Sequence, residues 1–180
     1  MSATDAPPSE ETDLVSRLRR GEADAANEFF DRYAARVRRF IAQSLGARAS
    51  EADDLMQETF IALAEALPFF RGDSSLFTFA CAIAHRKVLS FVRTNARRAR
   101  LMRAAALAEP EPRRDIGSHS DFNSAFERLP PEYREALMLK YVEEISVAEI
   151  ARVLEISEHA VESRLARARK SLRKRLGEAQ

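Results

Sequence analysis

Glycine and proline are scarce in this sequence, five of one and seven of the other among 180 residues, and no run alternates Val, Ile or Thr with polar side chains. Those absences exclude a chain built from hairpins and tight turns. Ala, Leu, Arg and Glu dominate instead, so the chain reads as all-α. Cysteine occurs once, at Cys81, which rules out an internal disulfide. With no charged-then-apolar leader at the start, the expected compartment is a reducing cytoplasm. The longest stretch without charge, Ser74 to Ala84, is too short to cross a bilayer, and no membrane insertion is expected. His85, His119 and His159 are scattered and have no partner at ligand spacing, so no metal and no cofactor are assigned. Asp53 and Asp54 form a carboxylate pair on a helix flank without a nucleophile or a phosphate cradle, and the chain is not expected to be an enzyme.

The formal net charge of +1 conceals blocks of opposite sign. Between Glu51 and Phe70 the charged residues are Glu51, Asp53, Asp54, Glu58 and Glu65, a face that calls for a basic partner. Between His85 and Arg103 the chain carries Arg86, Lys87, Arg93, Arg97, Arg98, Arg100 and Arg103 with no acid, and Arg164 to Arg175 repeats the pattern. Both basic segments call for phosphate.

Along the chain, residues 1–12 read as a disordered tail and 13–100 as a first helical domain. A short helix is expected near Asp13 to Arg20. A longer one follows, with Ala26, Phe29, Phe30, Tyr33, Val37, Phe40 and Ile41 at helical spacing, and Gly46 closes it. A third, Ser50 to Leu67, sets Ala52, Met56, Phe60, Leu63 and Leu67 inward and Asp53, Asp54, Gln57, Glu58 and Ile61 outward, and Pro68 ends it. After the turn Arg71-Gly72-Asp73, a fourth helix starts at Ser74 or Ser75. It is apolar nearly all round from Leu76 to Ala84 and then basic. Phe77, Phe79 and Cys81 are expected to be core residues.

Residues 101–121, with Pro110, Pro112 and Gly117, read as a flexible linker. A second domain, 122–180, opens with Phe122, Phe126 and Leu129, and Pro131 suits the first turn of a helix running to Val142. Ser146 and Glu149 fit a capping box, ahead of Val147, Ile150, Ala151 and Leu154 on one face. Ser157 caps a last helix whose core stripe is Val161, Leu165, Ala168, Leu172 and Leu176.

Two short helices joined by a tight turn and followed by a basic stretch make a helix-turn-helix, in which the second helix enters the major groove. Ser157, Glu158, His159 and Glu162 at its start can reach base edges, with Ser163 beside them. Arg164, Arg167, Arg169 and Lys170 can take phosphates.

The segments Leu129 to Glu135, Ser146 to Leu154 and Ser163 to Arg169 resemble region four of the extracytoplasmic-function sigma factors of bacterial RNA polymerase. Ala52 to Phe60 resembles region two's polymerase-binding helix, and Phe70 to Ser75 resembles the turn into its promoter-melting helix. The resemblance implies a sigma factor that binds core RNA polymerase and directs promoter recognition and opening. It places Asp53, Asp54, Gln57 and Glu58 on the polymerase, and Arg71, Asp73, Ser74, Ser75, His85, Arg86, Lys87 and Arg93 on the single-stranded minus-ten element. The helix-turn-helix residues would then bind the duplex minus-thirty-five element, and an anti-sigma factor is an expected partner. Where the family usually has tryptophan, this chain has Phe79, and Glu155 stands where a glycine commonly ends the first helix of the pair. The alternative is a helix-turn-helix regulator that binds duplex DNA without serving as a polymerase subunit. Such a regulator would usually show strands in its sensor half, and none is patterned here.

Overall fold

The computed structural model describes residues 8–105 and 121–177, and every regular element among them is helical. In chain order these are α1 (Pro8–Arg19), α2 (Ala23–Leu45), α3 (Ala52–Ala66), α4 (Leu76–Ala105), α5 (Asp121–Glu127), α6 (Pro131–Tyr141), α7 (Val147–Leu154) and α8 (Glu158–Gly177). A 3₁₀ segment, Gly46–Glu51, joins α2 to α3, and another, Leu67–Phe69, follows α3. The all-α expectation agrees with this.

Helices α2, α3 and α4 pack against one another around Tyr33, Val37, Phe40 and Ile41 of α2, Leu55 and Leu63 of α3, and Leu76, Phe77 and Cys81 of α4. Fully burying one such aliphatic or aromatic side chain contributes about 1.5–3 kcal/mol. The Phe77 ring lies nearly parallel to that of Tyr33, and Phe29 packs edge-on against Phe60. In the second group, α6, α7 and α8 enclose Leu139, Ile150, Val153, Val161, Leu165 and Ala168.

Several local expectations are corrected. Helix α1 begins at Pro8, so residues 8–12 are helical and not part of a disordered tail. The cause is tertiary: Glu11 Oε1 accepts the backbone N–H of Leu76, and Leu14 and Val15 enter the core. On α2 the inward residue of the first turn is Ala25, while Ala26 is exposed and Phe30 is half-exposed. On α3, Ala52 and Leu63 are buried as expected, but between them the buried positions are Leu55 and Thr59, with Met56 and Phe60 at the edge. Thr59 is tolerated inside because its hydroxyl donates to Leu55 O at 2.7 Å. Helix α4 continues through Leu101 to Ala105, beyond the expected start of the linker. Residues 106–120, most of that linker, lie outside the described residues, as do 1–7 and 178–180.

The two helical groups share a seam. Helix α2 packs on α6, α4 packs on α7, and the buried residues of both groups form one continuous cluster. This explains a sequence feature that amphipathicity alone does not. A helix apolar on all sides is covered on all sides. The Leu76–Ala84 stretch has α2 and α3 on one flank and α7 on the other. Helix α6 is likewise sandwiched, with six consecutive residues from Arg134 to Leu139 buried.

Candidate nucleic-acid interface

The acidic face of α3 is assembled as its spacing requires. Asp53, Asp54, Gln57 and Glu58 are all exposed, and Ile61 follows them as an exposed apolar residue. Two partners from other helices also reach this face. Arg38 of α2 donates to both carboxylate oxygens of Asp53, and Lys87 of α4 lies 3.4 Å from Glu58 Oε2. The hydrogen bond from Arg38 holds the Asp53 carboxyl below the ordinary aspartate range.

The loop of residues 70–75 connects the 3₁₀ turn to α4. Phe70 is buried against Phe79, with ring centroids 4.9 Å apart. Arg71 and Asp73 are exposed, flanking Gly72 at φ +79°, where a residue with a side chain would be strained. Ser74 and Ser75 are half-buried. Ser75 Oγ accepts the backbone N–H of Thr78 at 3.0 Å and so caps the start of α4. Phe77 is wholly buried, with the Arg36 guanidinium 3.7 Å over its ring, and Phe79 is partly buried against the core. Cys81 is buried, in accord with a core role.

The basic residues of α4 do not share one face. Lys87 points to α3. Arg86 lies 3.5 Å from Glu155, and His85 is buried with Nδ1 3.6 Å from Glu135 Oε2, too long for a hydrogen bond. Arg93 is exposed further along. Arg71, Asp73, Ser74 and Ser75 are therefore brought together, whereas His85 is buried in the seam and the exposed Arg86 sits at its edge.

The helix-turn-helix has the caps its sequence called for. Ser146 Oγ accepts from Glu149 N at 3.2 Å and the Glu149 carboxylate accepts from Ser146 N at 3.4 Å. Glu155 ends α7 in the left-handed region at φ 54°, the position glycine would take without steric cost. Ser157 Oγ then accepts from Ala160 N at 3.2 Å to start α8. Glu158, His159 and Glu162 are exposed on its first turns, Ser163 and Arg164 are half-buried, and Arg167, Arg169 and Lys170 are exposed. Arg169 donates to the Tyr141 hydroxyl at 2.9 Å, which brings a half-exposed aromatic residue of α6 to the basic face.

The seam itself carries polar contacts that sequence reading missed. Glu143 accepts from both Arg36 and Arg39 of α2. Thr78 Oγ1 donates to Glu149 at 3.2 Å, and Arg152 donates to the carbonyl of Asp73. Arg134 is buried where α6 meets the end of α2, and burial lowers its pKa from the ordinary arginine value. Among the described residues no group of three or more His, Cys, Asp or Glu could hold a metal ion, and no helix is long and apolar enough to cross a membrane.

Comparison with known proteins gives the same assignment to both halves. The model for sigma-70 region 2 matches residues 29–98, and that for sigma-70 region 4 matches residues 120–172. The chain is 29% identical over 178 residues to the extracytoplasmic-function RNA polymerase sigma factor BldN of Streptomyces coelicolor, covering 94% of this chain and 67% of that protein. Among solved structures, the sigma factor RpoE in complex with the anti-sigma factor NepR from Bartonella quintana has a TM-score of 0.69 at 25% identity, covering 86% of this chain and 97% of that one. CnrH in complex with the cytosolic domain of CnrY has a TM-score of 0.67 at 26% identity, covering 94% and 99%.

Proposed function

Because the chain belongs to the extracytoplasmic-function sigma factors, which direct transcription initiation by RNA polymerase, we propose a specific division of labour among its surfaces. Helices α1–α4 form the unit that docks on core polymerase and opens the minus-ten element. Helices α5–α8 form the unit that binds the minus-thirty-five duplex, and residues 106–120 link the two. The chain acts in the cytoplasm, has no catalytic chemistry of its own and needs no cofactor.

The single observation that carries this reading is the joint presence, in family order, of an exposed acidic helix face on α3 and a helix-turn-helix whose first helix, α7, starts with a capping box and whose second, the basic α8, starts at the Ser157 cap. Asp53, Asp54, Gln57 and Glu58 meet a basic surface of the polymerase, and Ile61 adds apolar contact beside them. Opening DNA requires unstacking, which costs a few kcal/mol per step, and the protein returns that energy by enclosing the freed bases. Arg71, Asp73, Ser74 and Ser75 are grouped for that task, and Arg93 tracks the strand's phosphates. His85, Arg86 and Lys87 join them once the seam opens and the Glu58 contact yields. On the duplex, Ser157, Glu158, His159 and Glu162 face base edges, while Ser163, Arg164, Arg167, Arg169 and Lys170 contact the backbone.

An anti-sigma factor is the proposed regulatory partner. Two solved relatives carry partner proteins, one of them named an anti-sigma factor. The closed seam supports the proposal, because it covers His85 and engages Arg86 with residues of the second helical group.

The test is transcription in vitro from a promoter library by purified core polymerase, with the chain, without it, and with Asp54 and Glu58 both changed to Arg. The expected result is chain-dependent starts at shared upstream motifs that vanish on charge reversal. If core polymerase neither binds the chain nor gains promoter-specific starts, a stand-alone duplex-DNA regulator takes its place.

A further inference from the structure

The loop of residues 70–75 projects from the end of the 3₁₀ turn, and its middle residues, Arg71 to Asp73, are exposed. Its ends are fastened by α1, the helix that the sequence alone had partly assigned to a tail. Arg19 donates through Nε to Leu67 O at 3.3 Å and through Nη2 to Phe70 O, so one guanidinium satisfies two carbonyls where the 3₁₀ turn ends. At the other end of the loop, Glu11 Oε1 accepts the backbone N–H of Leu76, the first residue of α4. The two α1 side chains thus hold the points where the loop leaves one helix and enters the next.

A cleft of about 340 Å³ lies between α1 and this loop. Thr12, Val15 and Ser16 line it from the α1 side, and Phe70, Arg71 and Ser74 from the loop side. A shift of α1 changes the width of the cleft and the direction in which Arg71 and Ser74 point. Arg152 of α7 also touches the loop, at Asp73 O, but that contact crosses the seam and is lost when the two helical groups separate. The Arg19 and Glu11 contacts lie within the first group and do not cross the seam.

We propose that Arg19 and Glu11 are positioning residues that set the chain's base preference at the minus-ten element by fixing the two ends of the 70–75 loop. This rests on the promoter-opening role given to that loop above. Neither residue touches polymerase or the minus-thirty-five duplex in that reading, so their effect is confined to one part of the promoter. Base discrimination depends on holding the contacting groups within a fraction of an ångström of their productive geometry, which exposed loop residues achieve only when the loop ends are tied.

The experiment uses the full chain reconstituted with core polymerase on a promoter selected from a library by the unaltered protein. Open-complex formation is measured with each minus-ten base replaced in turn, and separately with each minus-thirty-five base replaced. Arg19→Ala and Glu11→Ala are expected to reduce discrimination at one or more minus-ten positions about tenfold, the scale of one mismatched base. Minus-thirty-five discrimination and core-polymerase binding stay as in the parent. Glu11→Gln, which keeps an acceptor for Leu76 N–H, restores the parent profile, and Arg19→Lys, which reaches one carbonyl, gives an intermediate one. A minus-ten profile unchanged in shape but uniformly slower, or accompanied only by lower thermal stability, overturns the proposal and leaves α1 a scaffold. If the alanine variants do not fold, Arg19→Lys decides, and an unaltered profile there overturns it as well. Failure of the unaltered chain to give promoter-specific starts overturns the underlying reading, and is seen before any variant is made.

Discussion

Glu143, whose side chain is 1% exposed, accepts a hydrogen bond from Arg36 Nε at 2.7 Å across 107 positions of sequence. Arg39 donates to the other carboxylate oxygen. One buried acid of the second helical group is thus held by two arginines of the first. The contact stabilises only the closed arrangement, because its partners separate when the groups do.

Replacing Glu143 with Ala removes the carboxylate that Arg36 and Arg39 share at the seam. Removing one member of a buried pair costs about 3–5 kcal/mol, and the half-exposed Arg39 brings the expected loss here nearer about 1–3 kcal/mol. The radius of gyration in small-angle scattering should rise as the groups part, and Arg36→Ala added to Glu143→Ala should cost less than it does alone. A scattering curve unchanged from the parent would show that apolar packing alone closes the seam.

Gly46 ends α2 at φ 60° and ψ −118°, a conformation open in practice only to glycine, and a Cβ there would lie 2.2 Å from Arg134 Nη2. Gly46→Ala should destabilise the chain by about 1–3 kcal/mol from backbone strain, with displacement of the buried guanidinium added. Gly21, at φ +73°, has nothing within 4 Å of its would-be Cβ, so Gly21→Ala isolates the backbone cost. Thermal unfolding of both variants, at about 2–4 °C per kcal/mol for a chain of this size, should place Gly46→Ala clearly lower. Equal shifts would deny Arg134 any part in the effect.

The Asp53 carboxyl is held below its ordinary range by the hydrogen bond from Arg38. A carboxyl depressed in the folded state contributes stability that is present above its unfolded pKa and is lost as pH falls through the folded one. The contribution is thus constant near neutrality and disappears only in acid below the usual aspartate range. In an NMR titration, Arg38→Ala should return Asp53 to that range. The stability difference between parent and variant should vanish in strong acid, and a difference persisting there would assign the effect to packing.

Arg167 and Arg169 are exposed on α8 and assigned to phosphates. Arg167→Ala should weaken minus-thirty-five duplex binding alike for all sequences and lower the slope of log K against log salt by about 0.9. Glu162→Ala should instead change which base is preferred at one position and leave the slope unchanged. A slope unaffected by Arg167→Ala would remove that residue from the backbone contacts.

Much of this protein was decided within short stretches of its sequence. The capping box of Ser146 and Glu149, the Ser157 cap, the Gly46 terminus and the outward acids of α3 all depend on residues within a turn or two of one another, so spacing reveals them. The helix-turn-helix and the outward acidic face of α3 were legible for that reason. What required the tertiary structure involves partners far apart in the chain. The helical start of α1 depends on Glu11 meeting Leu76, and the placement of Leu55 and Thr59 inside α3 depends on which neighbours surround it. The placement of His85 beside Glu135 and of Arg86 beside Glu155, and the Arg36–Glu143 pair, likewise arise only when α4 and α2 are covered by the second group, whereas Lys87 meets Glu58 of α3 within the first. The stretch Leu76–Ala84, apolar nearly all round, was the local sign of that covering, since a helix of that kind is stable only when buried on most of its sides. Hydrophobic pattern says that a face must be covered, but long-range packing selects the element that covers it.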